Sequence, residues 1–128
     1  MTDLGQLTVE IKNEAKRLGF NAVGIAPAIP LKHYLTYLNW IDAGYHADMD
    51  YLARPDALTK RGKPQNILDS CQRIICLGMP YQPPQTAVEQ QNKGKGRISA
   101  YARTMDYHEV MWAKLAQLEQ FIRGQTKE

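Results

Sequence analysis

Residues 73–79 read Arg73-Ile74-Ile75-Cys76-Leu77-Gly78-Met79. This almost continuous apolar run is the strongest strand pattern in the chain. It suits a central position buried on both faces. Working back from it, residues 56–70 are polar and broken by Gly62 and Pro64, with a turn of helix expected near Ile67 and Leu68. Residues 48–53 fit one short helix that stops before Pro55. Further upstream Leu31, Tyr34, Leu35, Leu38 and Ile41 recur at helical spacing, with Pro30 in the first turn and Gly44 just past the end. Phe20 to Ala26 is a second, shorter strand closed by Pro27. The chain opens on a helix whose stripe is Leu4, Leu7, Ile11, Ala15 and Leu18, capped by Thr2 or Asp3 and stopped by Gly19.

Downstream of the run, residues 82–97 are expected to form a flexible loop, rich in proline, glutamine and glycine. Ile98 to Ala102 fits a short strand. A final helix starts near Tyr107, turns Val110, Met111, Leu115, Leu118 and Ile122 inward, and ends at Gly124. Helices and strands mix without a regular βαβ cadence, so the fold class is α+β. Two firm strands make a marginal sheet, which points to part of something larger.

The chain has 128 residues, with 16 Lys and Arg against 13 Asp and Glu. That length suits one domain, which could bury roughly two-thirds of its unfolded surface. Its 44% apolar and 23% charged content is that of an ordinary globular protein. Cys71 and Cys76 are too few for a disulfide scaffold, and their spacing is not that of a C-x-x-C pair. Nor can they supply the thiolates of an iron–sulfur cluster. The apolar stretch from Ala22 to Leu31 is broken by Gly24, Pro27 and Pro30, and falls short of the ~20 residues that span a bilayer. No membrane association is expected. The first residues lack the basic and apolar regions of a secretory signal, so the expected location is the cytoplasm.

Two basic clusters stand out, Lys60-Arg61-Gly62-Lys63 and Lys93-Gly94-Lys95-Gly96-Arg97. They read either as solvated loops or as phosphate contacts to a nucleic acid. The segment Tyr101-Ala102-Arg103-Thr104-Met105-Asp106-Tyr107-His108-Glu109 is the most distinctive. Asp106 and Glu109 have the spacing of a capping box opening the last helix. A carboxylate and an imidazole so close could equally transfer protons. The two roles conflict, because a helix N-terminus lowers a carboxyl pKa and makes a poor donor at neutral pH. Only desolvation by a bulky ligand would let Asp106 hold a proton. His33 and His46 belong to no zinc motif, so no metal site is expected. The Asp106-Tyr107-His108 run has no Gly where a histidine-ligating cobalamin carrier needs one, since Met111 stands there. No phosphate loop or nucleophile elbow is present.

Taken in order, several segments resemble the N-terminal part of the epoxyqueuosine reductases. They are Leu18 to Ala26, Gly44 to Leu52, Arg61, Leu68, Arg73-Ile74-Ile75, Met79-Pro80-Tyr81, Tyr101-Ala102 and Asp106-Tyr107-His108. The resemblance runs from about residue 4 to residue 122. It implies an oxidoreductase that reduces the epoxide of epoxyqueuosine in tRNA to queuosine, the last step of queuosine biosynthesis, with cobalamin and two 4Fe–4S clusters. The fold implied is an incomplete nitroreductase-like, corrinoid-binding α/β sandwich with helices packed on a small sheet. Residues 1–128 would be the N-terminal part of the cobalamin-binding catalytic domain. By motif, Asp106 would be the proton donor to the opening epoxide, and Arg61, Ser99 and Asp106 would meet the corrinoid. The partner implied is the tRNA anticodon region carrying epoxyqueuosine, and the complete protein would be a monomer.

The family usually has Gly where this chain has Ala47 and Thr104, and a basic residue where it has Met105. Its members continue into two C-x2-C-x2-C-x3-C-P clusters that do not occur among these residues. Alone, the chain is therefore expected to be inactive for lack of its electron relay. The alternative is a non-catalytic tRNA-binding or remnant module of the same fold, using Lys60, Arg61, Lys63, Lys93, Lys95 and Arg97 as phosphate contacts.

Overall fold

The computed structural model describes residues 3–81, 96 and 98–126. Among them are five α-helices and a two-stranded antiparallel sheet, so the α+β class stands. The expected loop over 82–97 lies almost wholly outside the described residues. The chain divides into two compact units, Met1–Gly24 with Cys76–Glu128, and Ile25–Ile75. Strands β1 (Ala22–Pro27) and β2 (Arg73–Gly78) run through both. Asn21 N–H bonds to Gly78 O at one end of the ladder and Ala28 N–H to Gln72 O at the other.

The first unit is built on α1 (Leu4–Arg17) and α5 (Tyr107–Thr126), which pack together. The Asp3 carboxylate caps α1 by accepting the Gly5 N–H at 3.0 Å. The other end closes through Gly19, at φ +97°. Gly19 N–H bonds to Lys16 O and Phe20 N–H to Ala15 O, the paired bonds that satisfy the last carbonyls of a helix. That turn drives Phe20 inward. It is 1% exposed, and with Ile11, Ala15, Leu18 and Leu118 it forms the core. Burying such a ring contributes about 1.5–3 kcal/mol. The Lys114 ammonium, on α5, reaches across to Leu18 O and ties the two helices where α1 ends.

The second unit holds α2 (Tyr34–Asp42), α3 (Asp50–Ala53) and α4 (Pro55–Gly62), then a 3-10 turn at Pro64–Asn66. Two tyrosines on α2 staple it together. Tyr34 OH donates to Leu58 O at 2.7 Å and Tyr37 OH to Leu52 O at 2.5 Å. Gly62 makes this packing close, since a Cβ there would sit 3.3 Å from the Tyr34 ring and the ring would have to give way slightly. The Gln65 amide then bridges Ala28 O and Cys71 O, each at 2.9 Å.

Five expectations about local structure need correction. The polar stretch 56–70 does break at Gly62 and Pro64, but ahead of that break it is helical, and the turn expected near Ile67 and Leu68 lies at Pro64–Asn66. Pro55 takes the first helical position, where its missing N–H costs nothing, and α4 follows. Pro30 does not open α2, which begins four residues later. Ile98 to Ala102 is no strand but leads into a 3-10 turn at Ala100–Arg103. Gly124 lies inside α5, without the left-handed backbone by which Gly19 closes α1. Finally, β2 is not buried on both faces. Ile74, Ile75 and Leu77 are half-buried and Cys76 is exposed, because β1 is its only neighbour among the described residues.

Candidate functional site

The site grows from the start of α5. Asp106 is the residue before its first turn, and its Oδ1 accepts the backbone N–H of His108 at 2.9 Å. The Nδ1 of His108 lies 2.8 Å from the same oxygen. These bonds, the backbone one foremost and then the imidazole, hold the Asp106 carboxyl below the usual carboxylate range. Its side chain is 59% exposed. Asp106 is thus an ionised cap in this structure. Among the described residues Glu109 makes no reciprocal bond to the cap, so the box is half built.

Around this carboxylate stands a row of rings. His108 stacks on Tyr107 with centroids 4.1 Å apart, and Trp112, one turn further along α5, lies 5.8 Å from His108. Tyr107 meets Tyr101 nearly edge to face at 6.3 Å, and Tyr101 meets Tyr81 likewise at 6.4 Å. Such perpendicular contacts favour aromatic pairs beyond their area burial. The tyrosines, with Met79, Pro80 and Met111, line an open hollow of about 440 Å³. Three separate stretches converge there: the end of β2, the 3-10 turn and the first turns of α5.

Ser99 is exposed just before that turn, where its carbonyl accepts Ala102 N–H at 3.0 Å and its hydroxyl caps nothing. Arg61 belongs to the second unit, its guanidinium carbon 5.6 Å from the Tyr37 ring centroid. Beside it Lys60 pairs with Asp56 at 3.6 Å, one turn back on α4. Lys93, Lys95 and Arg97 lie outside the described residues. His46 is half-buried, and its Nδ1 is enclosed without a hydrogen-bond partner among the described residues. No three His, Cys, Asp or Glu residues converge as metal ligands among them, and no helix there is long and apolar enough to cross a membrane.

The hollow escaped the sequence reading. Its one local signal was the placing of Tyr107 and Met111 on the first turns of the last helix. The three segments that line it, Met79-Pro80-Tyr81, Tyr101-Ala102 and Asp106-Tyr107-His108, are nevertheless among those that carried the family resemblance.

Comparison with known proteins settles that resemblance. The family model described as epoxyqueuosine reductase QueG, DUF1730, matches residues 61–128, which include every residue of the hollow. The chain belongs to the epoxyqueuosine reductase family. Curated members agree along nearly its whole length. The chain is 34% identical over 126 residues to the epoxyqueuosine reductase of Pseudomonas aeruginosa, covering 97% of this chain and 34% of that protein. It is 35% identical over 126 residues to that of Vibrio cholerae, with the same coverage. With the Escherichia coli member the identity is 33% over 123 residues, covering 94% of this chain and 32% of the relative. The chain thus spans about a third of the length of the curated relatives it matches. No solved structure matches it at a significant level.

Proposed function

We propose that this chain is the N-terminal, cobalamin-side part of a cytoplasmic epoxyqueuosine reductase, acting on the epoxide of epoxyqueuosine in the anticodon region of tRNA. The observation that carries the reading is the convergence of three family segments on one aromatic hollow next in chain to Asp106. The scaffold would be the nitroreductase-like, corrinoid-binding one, with the rest of its sheet and the 4Fe–4S clusters supplied by the remainder of the complete protein.

The residues present fit part of a corrinoid site. The hollow is of a size that holds a drug-sized ligand, so it takes one face or edge of a corrin and not the whole group. Tyr81, Tyr101, Tyr107, Met79 and Met111 offer the flat, polarisable, apolar surface that a large ring needs. When bound, cobalamin would supply the electrons that open the epoxide. The residues of this chain would do the rest: the aromatic walls would orient ring and substrate and exclude water, and Asp106 would deliver a proton to the oxygen.

The ionised state of Asp106 is compatible with that role under one condition. A ligand covering the start of α5 would strip water from the carboxylate and raise its pKa. His108 Nδ1, 2.8 Å away, is within reach to hand over a proton. Asp106→Asn in the complete enzyme is expected to abolish turnover while the cobalamin absorbance is retained. Undiminished turnover would overturn the assignment. The 128-residue chain by itself is expected to turn over no substrate.

A further inference from the structure

The chain has seven tyrosines, and they meet in two groups. In the second unit the Tyr34 and Tyr37 rings stand with centroids 6.4 Å apart, tilted by 35°. In the first unit Tyr101 sits between Tyr81 and Tyr107, at 6.4 and 6.3 Å, nearly perpendicular to both. Spacing alone makes the two groups equivalent. Their hydroxyls separate them. Tyr34 OH donates to Leu58 O and Tyr37 OH to Leu52 O, both in part-buried surroundings. None of the hydroxyls of Tyr81, Tyr101 and Tyr107 bonds to a described residue, and all three residues are exposed.

That difference decides what an oxidant can do. A phenol gives up an electron readily only when its proton leaves as well, and water or a base must receive the proton. A main-chain carbonyl accepts a hydrogen bond but is far too weak a base to take the proton itself. Tyr34 and Tyr37 are protected in this way, and the exposed row is not. Two oxidised phenols side by side couple through the ring carbons ortho to their oxygens. Tyr101 lies on a single 3-10 turn with none of its residues buried, so little packing opposes the rotation from the perpendicular contact to the joined one.

We propose that this tyrosine row is an oxidative modification site, at which Tyr101 becomes joined to Tyr107 or Tyr81 as dityrosine. Each of the two phenols loses one electron to a one-electron oxidant, a peroxidase acting with hydrogen peroxide, and its hydroxyl proton to water. The two ring radicals pair their electrons in one carbon–carbon bond. The hydrogen on each bonded carbon then leaves as a proton, and a proton from solvent restores each hydroxyl. Two electrons and two protons are lost in all, matched by the reduction of one peroxide to two waters. The new bond draws the centroids closer together and fastens the 3-10 turn to α5 or to the segment after β2, so the hollow narrows. On the proposed function the narrowed hollow would shut out its ligand, but the cross-link itself does not rest on that reading.

The test treats the 128-residue chain, at high dilution, with a peroxidase and hydrogen peroxide. The expected product is a monomer lighter by two hydrogens, with dityrosine fluorescence and with Tyr101 in the link found by peptide mapping. Tyr101→Phe, its fold checked by an unchanged thermal melt, is expected to lose the fluorescence of the monomer. A link between Tyr34 and Tyr37 would overturn the proposal, as would dityrosine formed only between chains. Oxygen gained at Met79 or Met111 with no hydrogen lost overturns it too, and so does a monomer signal that survives Tyr101→Phe. None of these readouts involves turnover or cobalamin, so this inference and the proposed function fail separately.

Discussion

Replacing Ala47 by glycine should stabilise the protein. The turn after α2 places Gly44 at φ +73° and Ala47 at φ +47°. Ala47 is the one non-glycine residue in the left-handed region among those described. There its Cβ crowds the following carbonyl, at a cost of about 1–2 kcal/mol. Glycine removes that cost and adds back about 0.4–1 kcal/mol of chain entropy lost on folding. The net gain is about 0.5–1 kcal/mol, which for a chain of this size raises Tm by about 2–4 °C. Circular dichroism melts of Ala47→Gly against wild type read this directly. Gly44→Ala is the mirror experiment. An added Cβ there meets nothing within 4 Å, so any loss, about 1 kcal/mol, is backbone strain alone. An unchanged or lower Tm for Ala47→Gly would refute the strain argument, above all if Gly44→Ala fell as expected.

Gly19→Ala should cost about 1–2 kcal/mol of left-handed strain in denaturant melts, and somewhat more than Gly44→Ala because the Lys114 ammonium must also shift. The new Cβ at φ +97° would come 3.1 Å from the Lys114 ammonium that ties α5 to the end of α1. Two carboxyls predict the acid limb of stability: Glu14, lowered chiefly by its hydrogen bond from Arg17, and Asp106, lowered chiefly by the backbone N–H of His108. Each is a stronger acid folded than unfolded, so its contribution is complete above the ordinary carboxylate range and is lost as pH falls through the lowered folded value. Melting temperatures should therefore drop below about pH 4. Arg17→Ala should flatten that drop, and an acid limb identical to wild type would contradict the Glu14 assignment.

What the sequence made legible follows the range of the interactions concerned. Helix α1 could be read whole, because its apolar stripe, its Asp3 cap and its Gly19 terminator are all local. The start of α5 was legible for the same reason, including the Asp106 cap. Helix α4 was missed because polar composition and two breakers outweighed a position signal, Pro55 at the first helical site. Ile98 to Ala102 has strand-like residues, yet no strand among the described residues pairs with it, and β propensity counts only where a partner is present. The aromatic hollow is a long-range object. Tyr81, Tyr101 and Tyr107 meet through contacts that no spacing rule encodes, and only the resemblance had put their segments together.

The half-buried β2 and the ionised Asp106 have a common physical cause. A run as apolar as Ile74-Ile75-Cys76-Leu77 is a strand composed for neighbours on both sides, yet among the described residues it pairs only with β1. The hollow beside α5 is likewise open, and Asp106, next in chain to its Tyr107 wall, is exposed and held as a carboxylate. Covering either with apolar surface changes its chemistry in a predictable direction. The strand gains the burial that its side chains were suited to, and the carboxyl loses the solvation that now favours its charge. On the proposed function, both covers belong to the complete protein: further strands for β2, and ring and substrate for Asp106. The acidity of Asp106 would then be set by assembly and ligand binding, with the cap bonds of His108 holding its geometry constant throughout.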